Sequence, residues 1–169
     1  PTLSYAPGGP QLYAIPAAER DLPTVTAQLW LKVSDTPRQL EGPSFDREGN
    51  LLFVDVFGGE VLKADPQGKL SVLVPENTLG SAGLAIHKDG RLFVAGLGNF
   101  KDTGNVMAYN ADGSGQHVVI DEKQKYLVDD LVFDNSGGFY FTDFKGSSTE
   151  PTGGVYYQPA GGKPVVTIL

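Results

Sequence analysis

From residue 40 onward, apolar residues come in short runs separated by polar, glycine-bearing breaks. Leu51-Leu52-Phe53-Val54, Leu92-Phe93-Val94-Ala95 and Phe139-Tyr140-Phe141 are too short for helices and rich in branched and aromatic residues, so they read as strands. The runs also repeat. Segments 41–55, 82–96 and 129–143 align without a gap: Phe45, Ile86 and Phe133 match, then Gly49, Gly90 and Gly137, then Leu51, Leu92 and Phe139. Each segment reads as a hairpin, in which an apolar strand enters a polar turn whose glycine supplies a positive φ, and a second strand returns. Two more strands follow in every unit. They are predicted at Glu60–Ala64 and Leu70–Val74, at Asn105–Tyr109 and Gln116–Ile120, and at Gly154–Gln158 and Pro164–Ile168.

The units are 41 residues apart from Glu41 to Ala82 and 47 from Ala82 to Asp129. Four strands recurring every 40–50 residues or so is the pattern of propeller blades. The predicted fold is all-β, with three blades at about 40–80, 81–127 and 128–169 of one incomplete propeller domain. Closed rings have about four to eight blades, so three need further blades or a second copy, and two copies would make six. Residues 1–39 form a different, proline-interrupted N-terminal arm. Within it, 16–22 suits one short helix, and Thr24–Val33 reads as a strand that closes the sheet arrangement.

Composition narrows this picture. The 22 Gly and 12 Pro suit many turns, and the absence of Cys excludes disulfides and thiolate metal sites. Acidic residues exceed basic ones 20 to 13 with no long basic run, which argues against nucleic-acid or anionic-membrane partners. No apolar run is long enough to span a membrane and no secretory leader pattern is visible, so the expected compartment is the cytoplasm. The chain starts at Pro1 rather than Met, as a processed or trimmed chain would.

In a propeller, the first strand of each blade lines the central channel, and the repeat puts Glu41, Ala82 and Asp129 at one equivalent point. Carboxylates converging from different blades suit a hard cation, Ca²⁺ first and Mg²⁺ or another divalent ion second; the other reading is a pair of solvated loop acids. Of Asp129 and Asp130, alternation lets only one face the channel. The Gly98–Gly104 insertion reads either as a plain surface loop or as a source of oxygen ligands. His87, in a turn, and His117, in an outer strand, read as structural or solvated. Gly96–Lys101 lacks the third glycine of a dinucleotide fingerprint, and no Gly-x-Ser-x-Gly elbow occurs.

Leu40–Asp46, Ile86–Val94, Asp129–Asp134, Gly137–Phe144 and Gly153–Tyr157, in this order and spacing, resemble the senescence marker protein/gluconolactonase/luciferin-regenerating family. The resemblance implies a six-bladed propeller that hydrolyses a small-molecule lactone around a channel Ca²⁺. It implies that Glu41 and Asp129 are ligands of that ion, and that Asp102, Gly104, Asp121 and Gln124 hold a second, structural Ca²⁺, Gly104 and Gln124 through backbone oxygens. The family's remaining channel ligands and its proton-transferring Asp match no residue of this chain. The chain is thus expected to be the N-terminal half of a lactonase, inactive by itself until more blades or a second copy complete the ring. The alternative is a non-catalytic propeller module that binds a ligand or a protein, with Ca²⁺ only structural.

Overall fold

The computed structural model describes residues 18, 21–23 and 26–169, and the chain divides into two compact units, 1–30 and 31–169. Most of the predicted 16–22 helix lies outside the described residues; Ala18 sits in a 3₁₀ turn. The predicted 24–33 strand is corrected: Thr24 and Val25 lie outside the described residues, and 26–33 joins no sheet. Its apolar residues serve another purpose. Leu31 and Val33 pack side chain to side chain on Phe53, Leu62 and Ala64, covering the outward face of the first sheet.

The second unit contains twelve strands in three four-stranded antiparallel sheets. The first sheet comprises β1 (Leu40–Phe45), β2 (Leu51–Asp55), β3 (Val61–Ala64) and β4 (Leu70–Val74). The second comprises β5 (Ser81–Ile86), β6 (Leu92–Gly96), β7 (Asn105–Tyr109) and β8 (His117–Ile120). The third comprises β9 (Val128–Phe133), β10 (Phe139–Asp143), β11 (Gly154–Gln158) and β12 (Val166–Thr167). Each sheet is a simple meander in chain order. The turn glycines do what the repeat requires: Gly49, Gly90 and Gly137 have φ of 82°, 93° and 93°. Among the described residues no helix is long and apolar enough to cross a membrane.

Period-2 alternation decides how the sheets stack. Leu52 and Val54 of β2 pack with Leu92 and Val94 of β6, while Phe93 and Ala95 turn the other way to meet Phe139 and Phe141 of β10. The second sheet is therefore buried on both faces. Phe93 is the hub of the second interface, with its ring centroid 4.9 Å from Phe133 and 5.9 Å from Phe139. His87 joins this cluster edge-on, 4.9 Å from Phe133, so it is a packing residue at the sheet junction. The far face of the third sheet has no cover among the described residues. At one repeat position Leu52 and Phe93 are 4% and 6% exposed, whereas Tyr140 is 41% exposed.

The hairpin turns are also tied to one another at a matched position. Arg47 donates from its guanidinium to the Lys88 carbonyl at 3.0 Å, and Lys88 donates from Nζ to the Asn135 carbonyl at 3.1 Å. Positions 47, 88 and 135 are equivalent in the repeat.

Candidate functional site

The inner strands β1, β5 and β9 pack side by side. Each ladder slips within a residue or two of the same repeat position: between Glu41 and Ser44 on β1, between Ser81 and Gly83 on β5, and opposite Phe141–Asp143 on β9, where Asp129 and Asp130 lie. A bulge kinks its strand and re-aims one side chain. Here it brings Glu41, Ala82, Asp129 and Asp130 together at the lining of one cleft of about 560 Å³. Simple alternation predicted that only one of the two aspartates could face this space; the irregular ladder lets both line it.

Glycine sets how closely the inner strands approach. A Cβ on Gly42, whose φ is 58°, would stand 2.8 Å from the Gly83 Cα; one on Gly83 would stand 2.6 Å from Asp130 Oδ1 and 2.8 Å from the Asp129 carbonyl. No side chain fits at either contact, so the spacing between the carboxylate-bearing strands is fixed by backbone on backbone.

The cleft has two chemical halves. Glu41, Asp129 and Asp130 are the only ionisable side chains lining it among the described residues; Val56, Ala82, Leu97, Phe100 and Phe144 give it apolar walls. Phe100 stacks on Phe57 with centroids 5.8 Å apart and has a φ of 61°. Burial, then the neighbouring Asp130 and Glu41 charges, push the Asp129 carboxyl above its ordinary range. The ionised form is therefore penalised in the fold. That penalty is absent below the ordinary carboxylate value near ~4 and grows as pH rises through the raised value. Asp129→Asn is accordingly expected to raise the urea midpoint of the cation-free chain at pH 7, with the gain fading towards pH ~4. A constant or negative difference across that range would contradict the assignment.

Two carboxylates that the sequence reading passed over, Asp55 and Asp143, occupy equivalent ends of β2 and β10 and are buried. Both already have cations. Arg38 reaches Asp55 Oδ2 at 3.0 Å and also binds Glu60, and Lys145 Nζ lies 3.2 Å from Asp143 Oδ2. Asp143 Oδ1 also accepts from the Leu127 amide at 2.9 Å. These acids are structural, in contrast with the uncompensated trio. The same repeat alignment that found Glu41 and Asp129 pairs Asp55 with Asp143, so it held the signal for them.

The second predicted ion site looks different. Asp102 accepts from the Asn99 side-chain Nδ2 at 2.9 Å and lies 3.8 Å from Lys125 Nζ; the Asn99 bond, with help from Lys125 and Lys101, holds its carboxyl below the usual range. Asp121 caps the 3₁₀ turn Glu122–Gln124, accepting from the Lys123 amide at 2.9 Å, and Gln124 Oε1 accepts from the Asp121 amide. A Cβ on Gly104 would meet the Tyr126 carbonyl, so the loop touches the segment that follows the turn. Among the described residues no three His, Asp or Glu side chains converge tightly enough to hold a metal ion by themselves.

Comparison with known proteins adds three findings. The model of the SMP-30/Gluconolactonase/LRE-like region matches residues 40–168. The lactonase drp35 of Staphylococcus saprophyticus is 46% identical over 171 residues, covering all of this chain and 53% of that protein. Among solved structures, a gluconolactonase from Xanthomonas campestris superposes with a TM-score of 0.63 at 24% identity, over 80% of this chain and 48% of that one. A chain of a nidogen/laminin complex does so at 0.64 and 16% identity, over 77% of this chain and 48% of that one. The two structural likenesses speak to the fold alone, and the chain spans about half the length of the curated relatives it matches.

Proposed function

This chain belongs to the SMP-30/gluconolactonase/LRE-like family, and from that membership and its cleft we propose that it supplies part of a lactone-hydrolysing centre that works with a bound divalent cation. The observation that carries the proposal is the trio Glu41, Asp129 and Asp130, gathered at strand irregularities with no cationic side chain in the lining among the described residues. Their donor chemistry fits Ca²⁺ first and Mg²⁺ second, since both take carboxylate oxygens. Glu41 and Asp129 would hold the ion from two different blades, and Asp130 would add negative charge beside it. Asp129, whose ionised form is disfavoured by burial and by the neighbouring carboxylates, would lose that penalty on facing a cation.

Such an ion, when bound, polarises a carbonyl and lowers the pKa of a bound water. The protein's own contribution is positional. The glycine contacts at Gly42 and Gly83 hold the carboxylate strands at a fixed distance, and the apolar half formed by Ala82, Leu97, Phe100 and Phe144 seats the carbon skeleton of a lactone and limits free water. The uncovered face of the third sheet supports a larger ring, six blades in the reading proposed here, in which later blades furnish the remaining ligands and the proton-transferring acid. The second ion, at Asp102, Gly104, Asp121 and Gln124, is proposed as structural.

The direct test is acid release from a panel of simple lactones by the full-length protein, followed in a pH-stat with and without chelator. Turnover that vanishes with chelator and returns with Ca²⁺ is expected. Absence of turnover on every lactone, with Ca²⁺ still bound, would favour the non-catalytic binding module.

A further inference from the structure

A second cleft, away from the carboxylate trio, lies between the second and third sheets and measures about 710 Å³. One wall is the outer strand β8, with His117, Val118 and Val119; the other is the β11–β12 turn, from Pro159 to Val165. Phe93, Phe139 and Gly137 contribute between them. The volume falls within the roughly 300–1,000 Å³ of small-molecule sites, and the lining is the usual mixture of apolar surface with a few polar groups.

The turn is held rather than loose. The buried Gln158 donates from Nε2 to the carbonyls of Pro159 at 3.1 Å and Lys163 at 2.7 Å, bracketing the turn from inside. Gly161 and Gly162 have φ of 79° and 71°, and a Cβ at either would touch nothing within 4 Å. Their backbone therefore stands clear on the surface.

Charge gives the cleft its character. Acidic residues outnumber basic ones 20 to 13 in the chain, yet none lines this cleft, whereas Arg91, His117 and Lys163 do. Arg91 is already engaged: its Nε and Nη2 bind Asp89 at 2.9 and 2.8 Å, and its guanidinium lies 5.3 Å from the Phe93 ring centroid. Lys163 makes no ion pair among the described residues. Lys163, unpaired among the described residues and set beside the exposed Val118 and a rigid turn, is suited to a ligand with an anionic head and an apolar body.

The geometry points to a binding site for small organic anions in the cleft between β8 and the β11–β12 turn, with Lys163 as the charge-recognising group. It is separate from the proposed lactone centre and does not depend on it.

The probe is phenyl phosphate, titrated into the isotope-labelled full-length protein and read by amide chemical shifts. Saturable shifts are expected at Val118, Val119, Gly161 and Gly162, with Lys163→Glu weakening the fitted affinity about tenfold or more while the remaining spectrum stays folded. Phenol and inorganic phosphate, each carrying half of the chemistry, should bind at least several-fold more weakly. The site is overturned by shifts that do not saturate or map elsewhere, by phenol or inorganic phosphate binding as tightly, or by an unchanged affinity in Lys163→Glu.

Discussion

Replacing Glu41 by Gln in the full-length protein is expected to cut lactone turnover by about a hundredfold or more while leaving the fold intact. The substitution preserves size but removes one of the three charges that line the mouth. Side chains that merely orient metal ligands typically cost 10–100-fold when changed, so a ligand itself should cost at least the upper figure. Glu41 is exposed and lies at a bulge rather than in a core cluster, so its loss should leave thermal unfolding nearly unchanged. Raising the Ca²⁺ concentration should recover part of the rate, because the defect lies in holding the ion. Full turnover in the variant at limiting Ca²⁺ would remove Glu41 from the site.

The second large effect concerns stability. Phe141 is among the most deeply buried side chains and is shared between β10 and its surroundings: its ring centroid is 5.1 Å from Tyr126 and 5.4 Å from Tyr156. Truncating such a ring loses the transfer free energy and leaves a cavity, so Phe141→Ala is expected to cost about 3–5 kcal/mol. Against a total of roughly 5–15 kcal/mol, this is a large fraction. For a chain of this size it corresponds to a fall of roughly 6–20 °C in Tm. Tyr140, the next residue along β10, points to the face that has no cover among the described residues, and in a chain where that face stays uncovered Tyr140→Ala should shift Tm far less. Equal losses at the two positions, measured by calorimetry on the same preparation, would mean that the third sheet is not stacked as described.

Much of the architecture was readable from residue order because the repeat reports itself three times. The matched glycines Gly49, Gly90 and Gly137 mark the hairpins, and the unbroken apolar run Leu92–Ala95 fits a strand that the structure buries on both faces. Glu41 and Asp129 were identifiable as equivalent positions for the same reason. Asp130 at the cleft was not, because alternation assumes a regular ladder and nothing in a period-2 pattern announces a bulge. The strand expected at Thr24–Val33 shows the opposite failure. Its composition is strand-like, but β structure needs a partner edge, and Leu31 and Val33 contribute side-chain cover instead. The quiet role of Asp55 and Asp143 depends on Arg38 and Lys145 arriving beside them, information that only the folded chain holds.

The relay of Arg47 to the Lys88 carbonyl and Lys88 to the Asn135 carbonyl has a consequence for how such chains diverge. The acceptor is main chain each time, and every amino acid provides it. A blade can therefore change the residue at this corner without depriving its predecessor of a bond, and Arg, Lys and Asn occupy the three corners here. The tie also runs one way, from each turn to the one after it, so it gives the stack a direction. Substitutions at these corners are thus buffered: an altered donor loosens only the junction ahead of it, and the junction behind remains closed.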